Sequence, residues 1–365
     1  MRLWSRHGAV RRSVDVLIVS SGVTLGLRAA AEQLADSLRA LDYSAEVVFL
    51  REDTAWRPPS WLPGAVGELL VAAALRRKTL RALAEMDAGA LVYGTSISTI
   101  FQPRRLLARA AVSIDQPASV NRPGLRNAPQ RVLERRQLAR VRLLLPLSRS
   151  AADHLRSRYR VPVYPMPLPI AAVWAADGER RRRAVCYVAN PEKKGFDIVA
   201  RAWAAAGIPD ADLVVTGIDE ADGRAYLASC GVEVPPRLEW RGRLGAEEYR
   251  RVVAESMVFL SAARREEYGQ ALIEALADRA LLVALPMMWQ IEPVEMAREL
   301  DPRLTPAERS VEALADAIGV AFAYSDAERV AYESRAQAAL RALSLDEWKR
   351  RLREDVMPLL LRRDA

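Results

Sequence analysis

The chain has 365 residues, 51% hydrophobic and 27% charged, which predicts a packed globular protein with two domains rather than a disordered chain. Two cysteines, Cys186 and Cys230, are too few for a disulfide framework and favour a reducing, cytoplasmic location, and no apolar run is long enough to span a bilayer. The formal net charge of +8 suits phosphorylated substrates or an anionic lipid surface, while the lack of a recognisable nucleic-acid module argues against a nucleic-acid partner.

Apolar strand-like runs alternate with helical patterns along the chain, which is typical of parallel sheets with crossover helices. The basic start, residues 1–12, precedes an apolar run that Asp15 interrupts, so a buried first strand is favoured over a signal peptide. The first half is predicted to hold strands at 15–20, 46–50, 90–93, 110–114 and 143–147, with helices at 27–41 and 65–85. The second half is predicted to hold strands at 184–188, 213–216, 238–240, 257–261 and 281–285, with helices at 196–206, 246–255 and 270–278.

These patterns predict two facing, doubly wound, Rossmann-like α/β domains. The expected divisions are a first domain at 1–167, a linker at 168–183, a second domain at 184–344 and a helical tail at 345–365 that packs back on the first domain. Pro165, Pro167 and Pro169 stiffen the segment at the domain boundary. The four arginines at 180–183 are expected on a solvated linker face, with contact to an acidic ligand as the alternative. Ligands are expected in an interdomain cleft, beyond the carboxyl ends of the strands.

The most informative segment is the junction at residues 256–278, where an apolar strand turns into an apolar helix. Glu266 precedes the turn and Glu274 lies in the helix, where side chains lean back toward the N-terminus, so both carboxylates can reach one place. The helix opening offers unpaired amides to a phosphate, and Gly269 allows close approach to the backbone. The junction predicts a site for a sugar attached to a nucleotide diphosphate; two solvated helix charges are the alternative.

Four segments of the second half resemble, in the expected order, the retaining glycosyltransferases of the GT-B fold, in particular the group 4 family (glycosyl transferases group 1). The segments are VANPEKKGFDI at 188–198, VVTG at 214–217, RGRL at 241–244 and EEYGQALIEALA at 266–277. The resemblance covers residues 184–285 well and the first domain only in outline. It implies a GT-B architecture with an acceptor-side first domain and a nucleotide-sugar-binding second domain.

The resemblance implies roles for the matched residues. Glu274 would bind the ribose hydroxyls, Glu266 would contact the transferred sugar, and Lys194 would neutralise the departing phosphate. The other donor-binding residues that it implies in the second domain are Lys193, Gly217, Arg243 and the amides of Tyr268, Gly269, Gln270 and Ala271. A basic turn on the protein surface is the alternative for Lys193 and Lys194.

In the first domain, the loop SSGVTLG at residues 20–26 resembles the family's first loop, which implies that Gly22 and Thr24 approach the donor. The loop lacks the full Gly-x-Gly-x-x-Gly spacing of a dinucleotide site, so hydride transfer is not expected. Asp115 follows a predicted strand where the family often has a histidine. It is a candidate catalytic residue that binds acceptor or sugar hydroxyls, or else it caps a turn.

Two positions depart from the family pattern. Asn190 stands near the place of a phosphate-binding arginine, for which Lys193, Arg241 and Arg243 are candidate substitutes. The segment PMMWQ at residues 286–290 replaces a glycine-rich loop, so either donor recognition differs there or the loop is structural.

The remaining predictions concern mechanism and partners. The two histidines, His7 and His154, lie outside the expected catalytic positions, which favours retention of configuration. The acidic residues 219–222 are interpreted as a helix start, so no metal and no cofactor beyond the nucleotide-sugar donor are expected. A sugar-nucleotide epimerase or phosphorylase and a non-catalytic module of the same fold are the alternatives.

The acceptor is expected to be a carbohydrate, a lipid-linked molecule or a small molecule. Residues 121–142 carry many arginines, and the helix predicted at 65–85 is both basic and apolar. These surfaces leave two interpretations open: peripheral contact with an anionic membrane, or ordinary solvated arginines.

Overall fold

The computed structural model describes residues 11–50, 64–121, 124–170, 180–266, 268–287 and 291–362. The chain divides into two compact units, the first formed by Met1–Leu168 with Asp346–Ala365 and the second by Pro169–Leu345. Each unit contains a five-stranded parallel sheet with helices against it, which confirms the predicted α/β class. In the described ranges, no helix has both the length and the apolar character that crossing a bilayer demands.

The first unit is built on a doubly wound sheet. Its strands are β1 (Arg12–Ser20), β2 (Ala45–Phe49), β3 (Met86–Tyr93), β4 (Ala110–Ile114) and β5 (Leu143–Pro146). All five overlap the strands predicted from the sequence. They lie in the order β2-β1-β3-β4-β5 with parallel neighbours, so the winding reverses between β1 and β3.

Helices cover both faces of this sheet. They are α1 (Leu25–Arg39), α2 (Gly64–Glu85), α3 (Arg104–Leu107), α4 (Ala118–Asn121), α5 (Ala128–Leu138) and α6 (Arg149–Arg156). Successive strand residues point to opposite faces, so Leu17 and Val19 of β1 pack in one core while Val16 and Ile18 pack in the other.

The second unit has its own parallel sheet. Its strands are β6 (Arg181–Tyr187), β7 (Asp212–Thr216), β8 (Leu238–Trp240), β9 (Ser256–Ser261) and β10 (Leu281–Ala284). All five match predicted strands. The order β10-β9-β6-β7-β8 reverses its winding between β6 and β9, which is the point where α/β sheets of this type bind ligands beyond their carboxyl ends.

The helices of the second unit follow the predicted alternation. They are α7 (Pro191–Lys194), α8 (Phe196–Ala206), α9 (Glu220–Ser229), α10 (Ala246–Ala254), α11 (Gln270–Ala277), α12 (Glu292–Leu300), α13 (Val311–Phe322) and α14 (Asp326–Leu340). Asp219 occupies the N-cap position of α9, which confirms that residues 219–222 form a helix start.

The end of the chain forms a helical tail with α15 (Leu345–Arg351), a π-helical turn (Leu352–Val356) and α16 (Met357–Leu361). Its apolar residues recur at every fourth position, which places them on one helical face. These residues, Trp348, Leu352, Val356 and Leu360, are buried in the same core as Val16 and Ile18 of β1. The tail therefore contributes directly to the core of the first unit.

The expected linker differs from the structure at its end. Residues 171–179 lie outside the described part of the chain, and β6 already begins at Arg181, so residues 181–183 belong to a strand rather than to a linker. Arg181 and Arg182 are exposed, as predicted, whereas Arg180 is half-buried and Arg183 is buried. Arg183 is 4% exposed, and the Arg180 guanidinium donates to the backbone carbonyl of Asp278 at 3.1 Å. Long arginine stems can be buried while their charged ends find partners, which a count of charges along the sequence does not reveal.

Candidate functional site

The turn after β6 fixes the position of Lys194. Asn190 caps α7, because its side-chain oxygen accepts a hydrogen bond from the backbone N–H of Lys193 at 2.9 Å. Gly195 ends the helix in the left-handed conformation at φ 65°. A Cβ at Gly195 would lie 2.0 Å from the carbonyl oxygen of Ala262, which follows β9, so only glycine permits this approach. The predicted Lys-Gly turn thus rests directly on the neighbouring strand.

Lys194 and Glu266, both predicted as catalytic, form an ion pair at the winding reversal between β6 and β9. Their side chains are only 15% and 7% exposed, respectively. The Lys194 ammonium also lies 5.2 Å from the centre of the Tyr187 ring at the end of β6. A shielded pair of this kind is strongly coupled, because removing either partner leaves a poorly solvated charge.

Arg264 joins the segments that carry these two residues. Its guanidinium donates to both carboxylate oxygens of Asp197 at 2.9 and 2.7 Å, and its backbone N–H donates to the carbonyl of Lys193 at 2.8 Å. Burial raises the pKa of Asp197, but hydrogen bonds from Arg264 and Tyr226 outweigh it and hold that pKa below its usual value. Sequence reasoning missed Arg264, although it stands only two residues before Glu266.

The helix opening predicted from the sequence is present, with α11 beginning at Gln270. Gly269 occupies the N-cap with φ 79°, and a Cβ there would lie 2.6 Å from Cδ1 of Ile291. Tyr268 is buried, while Gln270 is exposed and Ala271 is half-buried. The opening of α11 therefore has no room for a side chain at Gly269, and the first amides of the helix lie beside this glycine.

Glu274 lies one turn into α11. Its carboxylate accepts a hydrogen bond from the Gln270 side chain at 3.0 Å. Burial raises the pKa of Glu274, against the opposing effects of Arg250 and Gln270. Arg250 is held by a buried ion pair with Asp278, with 2.6 Å between Nη2 and Oδ1, and sequence reasoning missed both members of this pair.

The Tyr187 phenol is influenced by four of the predicted donor residues. Burial raises its pKa, as do the charges of Glu266 and Glu274, whereas the charges of Arg243 and Lys193 lower it. Both predicted glutamates and two predicted cations therefore act electrostatically on the same phenol. No sequence pattern indicated Tyr187 beyond its place at the end of a strand.

Gly217 forms the floor beside this ring. It has φ 89°, and a Cβ would lie 2.8 Å from Cε2 of Tyr187 and 2.9 Å from the backbone nitrogen of Ala189. Its N–H donates to the carbonyl of Gly242 at 2.6 Å, which ties the loop after β7 to the loop after β8 that carries exposed Arg243. The glycine that ends the predicted VVTG segment is therefore required by close packing.

Gly22, Thr24 and Asp115, the other predicted site residues, belong to the first unit. Gly22 adopts φ 59°, and a Cβ there would lie 2.9 Å from Cδ1 of Phe49. The hydroxyl oxygen of Thr24 accepts from the N–H of Leu27 at 3.2 Å and caps α1. The tight turn after β1 is thus present, and contact of this turn with a donor remains a prediction.

Asp115 follows β4 and caps a turn, because its carboxylate accepts from the N–H of Gln116 at 2.7 Å. This local role was one of the two interpretations left open by the sequence. It does not exclude the other, since a carboxylate offers about four acceptor directions and a turn uses only some of them.

Glu134 on α5 is a buried carboxyl group that sequence reasoning missed. It is 3% exposed and accepts hydrogen bonds from the N–H of Ala118 at 2.9 Å and the hydroxyl of Ser96 at 3.1 Å. These bonds join the loops after β3 and β4. Burial raises the pKa of Glu134 to about 7, the bonds from Ala118 and Ser96 oppose the rise, and the charges of Asp115 and Glu68 add to it.

Two further expectations meet the structure only in part. Asn190, which replaces the family's arginine, serves as a helix cap. In the segment 286–290, residues 288–290 lie outside the described ranges, while Met287 is 9% exposed. The basic residues of α2 are exposed, as both interpretations of that helix require: Arg76, Arg77, Lys78 and Arg81.

Comparison with known families gives a match in the second unit. Residues 182–323 match the profile of the family described as "Glycosyl transferases group 1", which supports sugar transfer as the general activity. Comparison with curated proteins gives no match.

Solved glycosyltransferase structures match nearly the whole chain. Sucrose-phosphate synthase from Thermosynechococcus elongatus superposes with a TM-score of 0.75 at 15% identity, covering 96% of this chain and 99% of that one. WaaG, a glycosyltransferase involved in lipopolysaccharide biosynthesis, gives a TM-score of 0.66 at 12% identity, covering 95% and 99%. Anabaena HepE, solved with UDP and glucose, gives 0.64 at 15% identity, covering 94% and 99%. The chain therefore has the GT-B fold, and its residues 182–323 match the model of the glycosyl transferases group 1 family.

Proposed function

We propose that this protein is a retaining glycosyltransferase that moves a sugar from a nucleotide-diphosphate donor to a carbohydrate, lipid-linked or small-molecule acceptor. One observation carries the proposal: the shielded Lys194–Glu266 pair lies beside the Tyr187 ring where the winding of the second sheet reverses, and the charge of Glu274 acts on the same phenol. This is the place where sheets of this order bind nucleotides.

Donor binding follows from the chemistry of these groups. Glu274 is a partly shielded carboxylate that can accept two hydrogen bonds from the vicinal hydroxyls of a ribose. The first amides of α11, beside Gly269, suit a diphosphate, because the opening of a helix presents backbone N–H donors at its positive end. Lys193 and Arg243 supply further positive charge. The neighbour HepE was solved with UDP and glucose, which is consistent with such a site.

Transfer requires charge stabilisation on the leaving diphosphate. Lys194 is held rigidly by Gly195 and the packing against Ala262, so its ammonium is already in place when negative charge develops. Glu266 lies beside it and can hold the hydroxyls of the transferred sugar near the reacting carbon. In the retaining route, the leaving phosphate assists deprotonation of the acceptor on the same face of the sugar, so positioning matters more than a titrating base.

We propose that no divalent metal is required. The sequence has no convincing Asp-x-Asp motif, and Lys194 can neutralise phosphate charge without an ion. Transfer should therefore continue in excess EDTA at the rate seen without it. Loss of transfer in EDTA that Mg²⁺ or Mn²⁺ restores would contradict this part of the proposal.

The central test is donor binding by a pair of matched variants. Among nucleoside diphosphates screened by thermal shift, at least one should raise the Tm of the native protein. Glu274→Ala should keep the fold but weaken that nucleotide at least about tenfold, since a hydrogen bond to a charged group is lost. Glu247→Ala is the control, because Glu247 is exposed on α10 and pairs only with Arg251 one turn away.

Product analysis then separates transfer from the alternatives. With a labelled donor sugar, we expect the label to appear on an acceptor and the product to retain the anomeric configuration of the donor. Label that stays on the nucleotide as a different sugar would favour an epimerase. Nucleotide binding without any conversion would favour a non-catalytic module.

We also propose that the protein works in the cytoplasm. Cys186 and Cys230 are free, and burial raises the pKa of the Cys186 thiol to about 12, which keeps it protonated and unreactive. Fractionation of cells that express the native chain would test this location. Recovery in an oxidising compartment would contradict it.

A further inference from the structure

A groove lined by both polar and apolar side chains opens in the first unit beside the loop that follows β4. It has a volume of about 210 Å³. Its polar lining consists of Ser119, Glu134, Tyr159 and the three arginines Arg131, Arg135 and Arg158. These residues come from different parts of the unit, so the fold, rather than a local motif, brings them together.

The groove is electrostatically positive. Arg131, Arg135 and Arg158 contribute three guanidinium groups, and Glu134 is the one carboxylic acid among the lining residues. The charges of the arginines act on neighbouring groups. Burial lowers the pKa of His154 and Arg158 adds to that effect, while Arg135 and Arg158 partly offset the burial that raises the pKa of Tyr159 to about 12. Planar guanidinium groups bind phosphate and carboxylate oxygens through paired hydrogen bonds.

The inner wall of the groove suits hydroxyl groups. The hydroxyl of Ser119 lies 2.9 Å from Nε2 of His154 and can bond a second partner. The phenol of Tyr159 is protonated at neutral pH, so it can donate a hydrogen bond. A ligand with both hydroxyl groups and a negative charge therefore matches both sides of the groove.

Glu134 connects the groove to Asp115. One of its oxygens accepts from the N–H of Ala118, three residues after Asp115, and the other accepts from Ser96 after β3. Both loops lie at the carboxyl ends of their strands, which is the ligand-binding edge of a doubly wound sheet. The groove thus adjoins the loop that carries the candidate catalytic carboxylate of the first unit.

We propose that this groove is the acceptor subsite and that the acceptor is a sugar or polyol carrying a phosphate or carboxylate, held by Arg131, Arg135 and Arg158. The proposal rests on the glycosyltransferase function proposed above and narrows its acceptor class. Arg131 already donates to the carbonyl of Gly124 at 2.6 Å, which places its guanidinium at the rim.

Anion binding is coupled to protonation of Glu134, since an anion and a carboxylate in one groove repel each other. The groups that face Glu134 are Glu68 on α2, Asp115 after β4, Arg131 and Arg135 on α5, and His154, Arg158 and Tyr159 in and after α6. The acidic neighbours and burial favour the protonated form, which donates one hydrogen bond and carries no charge. Binding of an anion is therefore expected to strengthen as the pH falls through about 7.

The test uses sulfate as the probe, because its charge does not change near neutral pH. Calorimetry should detect sulfate binding to the native protein, weakened at least about tenfold in Arg135→Ala/Arg158→Ala. The control is Arg136→Ala/Arg140→Ala, which removes the same charge from exposed positions that do not line the groove. No sulfate binding, or equal loss in both double variants, would overturn the proposal.

Two further measurements test the role of Glu134 and separate the groove from the donor site. Sulfate should bind the native protein more tightly at about pH 6 than at about pH 8, and Glu134→Gln should remove that dependence while His154→Gln keeps it. If Glu134→Gln retains the full pH dependence of sulfate binding, the proposed role of Glu134 is wrong. Nucleotide binding at the second unit is measured in parallel, so failure of the donor site is distinguished from failure of the groove.

The source of the anionic group is decided with vesicles. Flotation with phosphatidylcholine vesicles, with and without phosphatidylglycerol, is compared across a salt series for the native protein and the Arg135/Arg158 variant. Salt-sensitive flotation that the variant loses assigns the group to a lipid-linked acceptor. Sulfate binding without flotation assigns it to a soluble acceptor. Flotation that the variant retains, without sulfate binding, overturns the groove as the anion site.

Discussion

The turn after the first strand of each unit follows the same plan but has different surroundings. After β1, Gly22 at φ 59° precedes the cap of α1, and after β6, Gly195 at φ 65° ends α7. A Cβ on Gly22 would meet the ring of Phe49 at 2.9 Å, whereas a Cβ on Gly195 would meet the backbone of Ala262 at 2.0 Å. A ring can shift by a few tenths of an ångström, but the backbone at the end of a strand cannot.

The difference teaches where each unit needs rigidity. The second turn holds Lys194 against Glu266, and in the proposed function a fixed positive charge there would stabilise a leaving group that is the same in every reaction cycle. The first turn meets the ring of Phe49, over which the Arg28 guanidinium of α1 lies 4.1 Å from the ring centre.

The largest expected effect comes from adding a methyl group to the second turn. Gly195→Ala should destabilise the protein by more than about 4 kcal/mol, since it adds a backbone clash to the cost of a left-handed residue. Gly22→Ala should cost about 2 kcal/mol, because Phe49 can move. Urea unfolding measures both.

Gly207→Ala is the control for left-handed conformation alone. Gly207 ends α8 at φ 54°, and a Cβ there meets nothing within 4 Å. This variant should cost only about 1 kcal/mol. Equal losses for Gly195→Ala and Gly207→Ala would show that the approach to Ala262 does not constrain the second turn.

Removing the Lys194 ammonium, which the second turn holds in place, should lower turnover more than it lowers stability. Lys194→Ala should lower kcat about a hundredfold or more, which is typical for the loss of one preorganised charge or hydrogen bond at a developing anion. Lys78→Ala, on the exposed face of α2, is the matched control and should keep full activity. Native kcat in a folded Lys194→Ala protein would remove Lys194 from the mechanism.

The first unit should show its own pH dependence through Glu134. Its pKa is raised from 4.5 to about 7 by burial, so between these values the folded state keeps a proton that the unfolded state has lost. The resulting stability is fully present below about pH 4.5 and is lost as the pH rises through about 7. The free energy of unfolding changes by on the order of 3 kcal/mol across this pH range.

Glu134→Gln tests this sign, because an amide keeps a hydrogen-bonding group but cannot ionise. The difference in unfolding free energy, variant minus native, should increase between about pH 4.5 and 7 and then level off. Urea titrations at several pH values measure it. A constant difference across this range would mean that Glu134 does not titrate there.

The smallest expected effect concerns the cap of the first turn. Thr24→Ala should cost about 1 kcal/mol through loss of the bond to the N–H of Leu27, whereas Thr24→Ser should cost little. Donor affinity should fall in Thr24→Ala if Thr24 also contacts the donor. Unfolding and nucleotide titration of both variants separate the cap from the contact.

The residues of the proposed donor site could be singled out because they are local in the sequence. Glu266, Gly269 and Glu274 lie within one strand–helix junction, and helix geometry alone brings the two carboxylates toward one place. The alternating apolar runs likewise predicted all ten strands of the two sheets, since buried parallel strands form continuous apolar segments.

The supporting residues were not predictable because long-range packing creates their roles. Ser96 and Glu134 are 38 positions apart, and Arg264 and Asp197 are 67 apart. Nothing in the local sequence of α5 distinguishes Glu134 from a solvated helix charge. Arg180 and Arg183 mislead in the opposite direction, because charge alone indicated solvent for side chains that are half-buried and buried.

The most direct test is hydrogen–deuterium exchange of the native protein with and without the best-binding nucleoside diphosphate. We expect slower exchange both in residues 191–195 and in residues 268–274 when the nucleotide binds, because Lys194 and the amides of α11 would hold the diphosphate. Exchange in α13 should not change. Protection that appears elsewhere while both segments exchange as before would contradict the proposed donor site.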